Sequence, residues 1–495
     1  MLIIELLYLL SATLLAIYGL NSMLYAWLYW RHSLRETTNN PAKNSFDRLD
    51  DYPTVTVQLP VYNERHVVTR LIDTVAKLDW PADRLQIQVL DDSDDDTQQI
   101  IAAAVAPYRE TPLKIAHIRR ADRSGFKAGA LQYGLQSATG EFVTIFDADF
   151  VPPTDFLQRT MPYFAEPQVG CVQTRWGHVN PDTSLLTRAQ AAGIDGHFIV
   201  EQQARHNLGA YLNFNGTAGI WRRACMDDAG GWEGDTLTED LDLSYRAQLA
   251  DWQIYYQSDI VVPAELPVQI DAFKRQQFRW AKGSLQTAQK LLGRVWQVSD
   301  PLWRKMMGTL HLTNYAVHPL MILNLLLILP MSFSDSYVLW MAPFLTLTAA
   351  GPPAMYWAAM GARSFSWATR LRRLAILVAL GTGLSVNNTR AAFEAFTGIR
   401  SDFMRTPKFA ITETTAQWQT SNYALPRDPT AWVELGLAIY AIWLLFFSIN
   451  LGVWWMVFWL VLYSVSYSYI AFLAFSQAWQ MRTLKASQAS MPAVE

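Results

Sequence analysis

The stretch "LQIQVLDDSDDDT", Leu85 to Thr97, runs from an alternating, strand-like segment straight into five aspartates within six positions. Residues 85–90 have the period-two pattern of a strand, and a helix is predicted from about Asp94 to Ala106. The same unit recurs around it. "TVTVQL" (Thr54 to Leu59), "LKIAHI" (Leu113 to Ile118) and "FVTIF" (Phe142 to Phe146) read as strands. Between them Val67, Val68, Leu71, Ile72, Val75 and Leu78 share one helical face, and residues 127–137 read as another helix. Strand and helix alternating at this spacing predict an α/β domain with a doubly wound, mostly parallel sheet. Such sheets bind ligands at the carboxyl ends of their strands. Two acidic motifs fall there: Asp91-Asp92 after the second strand, and "DAD", Asp147 to Asp149, after the fourth. Asp92 is expected to face the crevice. Asp94, Asp95 and Asp96 are expected to cap the next helix, where free N–H groups and the macrodipole favour a carboxylate by roughly 0.3–1 kcal/mol each.

The rest of the chain is of another kind. It has 495 residues, 51% of them apolar, with 20 Trp and 17% charged residues. That composition implies a membrane component. Residues 1–30 carry one charge, Glu5, with no positive leader and no small-residue cleavage site, so they read as a retained anchor. Arg31 and Arg35 follow at once and put that end, and the domain after it, on the cytosolic side. A net charge of −3 points away from a nucleic-acid partner. Cys171 and Cys225 are too few for a disulfide framework or a cysteine metal site and are expected in the core.

After the first strand stands "PVYNE" (Pro60 to Glu64) instead of a glycine-rich phosphate loop. Without such a cradle a diphosphate needs a divalent cation, and an Asp-x-Asp pair offers hard oxygen ligands suited to Mg²⁺ or Mn²⁺. The ordered motifs "QLPVYNE", "VLDDS", "GFKAGAL", "FDADF", "FNGTAGIWRR", "TEDLDLSYR" and "QQFRW" resemble those of family 2 glycosyltransferases of the cellulose-synthase superfamily. The likeness is to the plant cellulose-synthase-like A and C proteins, which make mannan or glucomannan and the glucan backbone of xyloglucan. It implies a GT-A-like fold, a nucleotide-sugar donor (GDP-mannose or UDP-glucose), a glycan acceptor and Mg²⁺ or Mn²⁺. By the same resemblance Asp92 contacts the nucleotide, Asp147 and Asp149 hold the diphosphate and its metal, and Asp240 is the catalytic base. Arg279 and Lys127 approach the diphosphate. Glu239, Gln276, Trp280, Asn215 and Gly216 face the acceptor. A helix cap is the competing reading of Asp240, an exposed lysine that of Lys127, and a plain turn that of Asn215-Gly216. His178 and His197 have no partner at metal-ligand spacing and read as structural or acceptor-lining.

The expected organisation is an anchor (1–35), a cytosolic glycosyltransferase domain (45–285), a membrane region (286–480) and a cytosolic tail (481–495). Met306 to Leu329, Tyr337 to Met360, Trp432 to Ile449 and Gly452 to Phe475 have the length and composition of spans. The segment 371–390 is apolar but flanked by arginines, and loop charges favour an interfacial helix. The loop 391–428 is then cytosolic. Within it "FMRTPKF" is similar to the gating loop of cellulose-synthase relatives, with Thr406 and Lys408 at the polar positions. His311, Asn314, Tyr315, His318 and Asn324 are candidates for lining a glycan channel, with helix–helix hydrogen bonding as the alternative. The function expected is inverting, processive elongation of a β-1,4-linked glycan with translocation. A glycolipid-forming transferase like ceramide glucosyltransferases and a non-catalytic membrane transporter or sensor are the rivals.

Overall fold

The computed structural model describes residues 1–33, 52–333, 347–411 and 418–489. Its centre is a seven-stranded sheet: β1 (Val55–Val61), β2 (Leu85–Asp91), β3 (Lys114–Arg119), β4 (Phe142–Ile145), β5 (Val169–His178), β6 (Gly219–Arg222) and β7 (Gln253–Ala264). Across the sheet the order is β3-β2-β1-β4-β6-β5-β7. Only β6 runs against the rest, pairing antiparallel with both β4 and β5. The expected doubly wound, mostly parallel arrangement is present, with one short reversed strand between β4 and β5.

Apolar residues fill both faces of this sheet, as a parallel sheet requires. On one side Val55, Val57, Leu59 and Val61 pack with Leu71, Ile72 and Val75 of the helix Val68–Val75. On the other, Leu131 and Leu135 of the helix Phe126–Leu135 meet Val143, Ile145 and Trp221. Each fully buried aliphatic side chain in these layers contributes about 1.5–3 kcal/mol. Cys171 and Cys225 are free and buried in the second layer.

A single helix of 28 residues, Ile270–Gln297, runs across the expected boundary at 285. Four helical segments among the described residues are long and apolar enough to cross a membrane: Leu2–His32, Asn314–Met331, Thr430–Asn450 and Trp454–Ser487. They indicate a multi-pass membrane protein. The expected span from Met306 is divided, since a separate helix Leu302–Leu312 precedes Asn314. Of the expected span from Tyr337, residues 337–346 lie outside the described residues, as does Arg35; the described part is a 12-residue helix, Gly351–Ala362. The segment expected as one interfacial helix at 371–390 is two helices, Trp367–Gly383 and Ser385–Phe396, joined at Leu384. The second buries Asn387 and Asn388, and the Asn387 side-chain amide donates to the Lys274 carbonyl on the long helix. These polar contacts with neighbouring helices are invisible to hydropathy.

Candidate active site

The carboxyl ends of β1, β2 and β4 open on one cleft, and every residue that the resemblance singled out lines it: Asp92, Lys127, Asp147, Asp149, Asn215, Gly216, Glu239, Asp240, Gln276, Arg279, Trp280, Thr406 and Lys408. Each aspartate of the run has a partner of its own. Asp91 points away from the cleft and accepts from the Ser93 amide while meeting His117 at 2.8 Å. Asp92 is clamped by Arg120, whose Nε and Nη2 donate to its two oxygens at 2.7 and 2.6 Å. This fork fixes the plane of the carboxylate that faces the cleft.

The capping expectation for Asp94 to Asp96 holds for one of the three. Asp95 accepts from the Thr97 amide at the start of the helix Thr97–Val105, and Tyr423 donates to its other oxygen. Asp94 instead accepts from the Asn63 side chain at 2.7 Å, while its own amide donates to Asn63 Oδ1 at 3.0 Å. Asn63 has a φ of 55°, a conformation that asparagine tolerates better than most residues. Asp96 forms an ion pair with Arg65 at 2.6 Å. The acids therefore fasten the end of β1 to the end of β2. Beside them the Arg123 guanidinium lies over the Tyr62 ring, 3.4 Å from its centroid.

The two acids of "DAD" part company. Asp147 Oδ1 accepts from Lys127 Nζ at 2.6 Å; the same ammonium donates to the Gly216 carbonyl at 2.9 Å and stands 3.9 Å from Glu239. Burial opposes the charge on Lys127, but Asp147 and Glu239 outweigh it and raise its pKa. Asp149 points the other way, to Lys408 at 2.7 Å. Lys127 is thus no exposed lysine: it joins Asp147 to the loop at Gly216.

Asp240 lies in the first turn of the helix Glu239–Gln248, and its Oδ1 accepts from the amide of Leu241. The residue before that helix, Thr238, makes no side-chain cap. Desolvation in the cleft, followed by the charge of Glu239, lifts the Asp240 carboxyl well above the ordinary range, against the pull of Lys127 and Arg279. Room for it comes from Gly216. That residue has φ 80°, and a Cβ there would stand 2.9 Å from Asp240 Oδ2 and 3.4 Å from Lys127 Nζ. We expect Gly216→Ala to retain the fold, shown by an unchanged elution profile and near-ultraviolet circular dichroism, yet to lose most transfer, because the Asp240 carboxylate has to move.

Next to Gly216, Asn215 is held by three bonds. Its amide donates to Gln173, its Oδ1 accepts from Gln202, and its Nδ2 meets His197 Nε2 at 3.1 Å. His197 and Gln202 lie on a π-helical stretch, Gly196–Gln202, of the kind often found at functional sites. His197 also pairs with Glu201, and the buried His178 with Asp195 at 3.1 Å. Both histidines therefore have carboxylate partners. Trp280 faces Trp176 with centroids 6.4 Å apart. Arg279 lies 4.4 Å from the Phe403 ring centroid, so the segment 403–409 closes over the QxxRW helix. Thr406 is buried there with its hydroxyl unpartnered.

The channel candidates mostly hydrogen bond between helices. Asn324 donates to Ser11, His318 meets Asn388 at 2.9 Å, and His311 contacts Arg205 and Tyr245.

The sequence reading missed four charged residues that line the cleft, Glu64, Arg123, Glu265 and Arg405, and Arg120 behind Asp92. Glu64 closes the "PVYNE" motif, and burial pushes it up to about 8 although Arg405 stands 3.3 Å away. Glu265 ends just beyond β7, and Arg120 anchors Asp92. Strand-end position was the available signal for both glutamates; for Arg120 and Arg405 there was none.

The model of the family described as glycosyltransferase like family 2 matches residues 53–283. Those residues form a glycosyltransferase family 2 domain. Over 246 residues the chain is 42% identical to a probable glucomannan 4-beta-mannosyltransferase 15 of Arabidopsis thaliana, covering 49% of this chain and 46% of that protein. It is 44% identical over 246 residues to a probable glucomannan 4-beta-mannosyltransferase 7 of Oryza sativa subsp. japonica, covering 49% of this chain and 42% of that protein. The chain thus matches less than half the length of these relatives. The chain is similar in fold to mannosyltransferase PcManGT from Pyrobaculum calidifontis, solved with GDP-Man and Mn²⁺, with a TM-score of 0.50 at 19% identity. That match covers 79% of this chain and 100% of that one. At this identity the likeness concerns the fold.

Proposed function

We propose that the protein is a membrane-embedded, inverting β-glycosyltransferase that moves a mannosyl or glucosyl unit from GDP-mannose or UDP-glucose to a growing β-1,4-linked polysaccharide. The observation that carries this is the separation of two carboxylate stations within one cleft. Asp147 and Asp149, read as the nucleotide side, and Glu239 and Asp240, read as the acceptor side, line the same cleft, and Lys127 reaches Asp147 and Glu239. Inversion is one displacement at the anomeric carbon: the acceptor oxygen bonds to it as the bond to the diphosphate oxygen breaks. It needs one base for the acceptor's proton and no nucleophilic side chain. Asp240 takes that proton. Arg279 and Lys408 supply fixed positive charge to the departing diphosphate. Asn215, Gln276 and Trp280 bind and orient the acceptor, the indole offering a flat apolar face to a sugar ring.

Asp147 and Asp149 fit Mg²⁺ or Mn²⁺, since both are hard oxygen ligands on one strand end and both already carry a cationic partner. When bound, the ion neutralises charge on the diphosphate. The names of the mannosyltransferase relatives and the GDP-Man and Mn²⁺ of the similar archaeal structure support this donor class. The segment 403–409 acts as a lid that excludes water from the cleft. Incubating the detergent-purified protein with each donor and Mn²⁺, then digesting the product with linkage-specific glycanases, tests the proposal. A β-1,4-linked polymer is expected; a single hexose on lipid, or no donor turnover, would overturn it.

The cleft faces the cytosol in this reading, because Arg31 and the arginines at 363–373 lie at the domain's end of the helices. A cysteine at Asn450 is expected to react with an impermeant thiol reagent added to intact cells, and one at Ser401 to stay unlabelled. Outside labelling at Ser401 would reverse the orientation. Ser334, the other expected outer position, lies outside the described residues.

A further inference from the structure

The Lys408 ammonium sits in a seat of oxygens. Asp149 Oδ2 lies 2.7 Å from it and the main-chain carbonyl of Glu265 2.6 Å. Glu265 is woven into the same seat: its amide donates to Asp149 Oδ2 at 3.0 Å, and its Oε1 accepts from the Phe409 amide at 2.8 Å. Its second carboxylate oxygen, Oε2, has no hydrogen-bond partner, although the residue is 3% exposed and lines the cleft. A buried carboxylate oxygen without a donor is costly to maintain, and such atoms call for an explanation in a ligand or ion. The arrangement of one aspartate oxygen, one main-chain carbonyl and one free glutamate oxygen has the chemistry of a hard-cation site. Asp147 is turned elsewhere, held by Lys127.

We propose that Glu265 completes the divalent-cation site of Asp149, through its carbonyl and free carboxylate oxygen, and that Lys408 is an alternative occupant of the two oxygens it now holds, Asp149 Oδ2 and the Glu265 carbonyl. Ion and ammonium exclude one another there, by like charge and by space. Entry of the ion with the nucleotide releases Lys408 from Asp149, which frees its positive charge for the diphosphate. The release also loosens the segment it tethers, whose remaining hold on Glu265 is the Phe409 amide. The inference rests on the reading that Asp149 serves the donor's cation. It adds a ligand that the Asp-x-Asp pattern does not contain and couples lid position to metal occupancy.

The test counts bound Mn²⁺ on the full-length protein in detergent, from the electron paramagnetic resonance signal of the free ion, with Mn²⁺ alone and with GDP added. Lys408→Met is expected to bind Mn²⁺ alone about tenfold more tightly, because a like charge has left a low-dielectric site. A gain in affinity cannot come from a damaged fold. Glu265→Gln keeps the amide and carbonyl contacts and is expected to lose about 10–100-fold in Mn²⁺ affinity. Unchanged or weaker binding in Lys408→Met overturns the exchange, and unchanged binding in Glu265→Gln removes it as a ligand. Asp149→Asn separates the underlying reading: undiminished Mn²⁺ binding in that variant sinks the role of Asp149 itself. Loss there without change in the other two sinks only this inference.

Discussion

Asp240→Asn is expected to slow transfer by about 10²–10⁴-fold while nucleotide affinity stays within about twofold of the parent, the usual worth of one positioned general base. The substitution keeps size and the acceptor oxygen for the Leu241 amide, so the helix start survives. What disappears is proton affinity. Single-turnover rates measured beside a GDP titration separate the outcomes. Unchanged transfer would leave Asp240 a structural residue, and loss of both quantities would mean a disturbed cleft. The pH dependence carries a second signature. Desolvation and the neighbouring Glu239 raise the Asp240 pKa, with Lys127 and Arg279 opposing. A base works only when ionised, so the rate should fall as pH drops through that raised value, well above the pH at which an ordinary aspartate protonates. The residual rate of Asp240→Asn should lack this acidic limb.

Asp149→Ala is expected to reduce turnover by about 10²–10³-fold and to abolish the metal dependence of donor binding. Two things fail together there. The cation loses a ligand, and the Lys408 ammonium and the Glu265 amide lose the oxygen that both use. Asp149→Asn retains an acceptor for that amide and isolates the loss of charge. Near-normal turnover in either variant, or an undiminished parent rate in EDTA, would remove the metal role.

The sheet was legible because its strands are buried on both sides and bounded by turns: Thr54 to Leu59 and Leu85 to Leu90 fall within one or two residues of β1 and β2. The cleft was legible where motif residues sit at strand ends or helix starts, as Asp147, Lys127 and Asp240 do. Asp94 and Asp96 were misread because capping is a local inference, while their partners Asn63 and Arg65 come from the preceding strand end. Glu265 escaped because a lone acid in "PAELP" has no spacing to mark it; its meaning depends on Asp149, brought beside it by folding. The break at Leu384 was hidden for a related reason, since the buried amides of Asn387 and Asn388 are satisfied by Lys274 and His318 on other helices.

The helix Ile270–Gln297 carries Gln276, Arg279 and Trp280, and it is pinned at two points by ion pairs that bracket them. Lys274 meets Glu434 at 2.7 Å with both side chains almost wholly buried, and Lys282 meets Glu394 at 2.8 Å. Removing one partner of such a pair strands a charge and costs about 3–5 kcal/mol. Sliding the helix by one turn would strand both. The side of the cleft formed by Gln276, Arg279 and Trp280 and the bundle that contains Glu394 and Glu434 therefore behave as a single casting. In the proposed reaction a growing product advances by moving over that side of the cleft, like a chain over a fixed sprocket, and the yielding part of the machine is the cover above it.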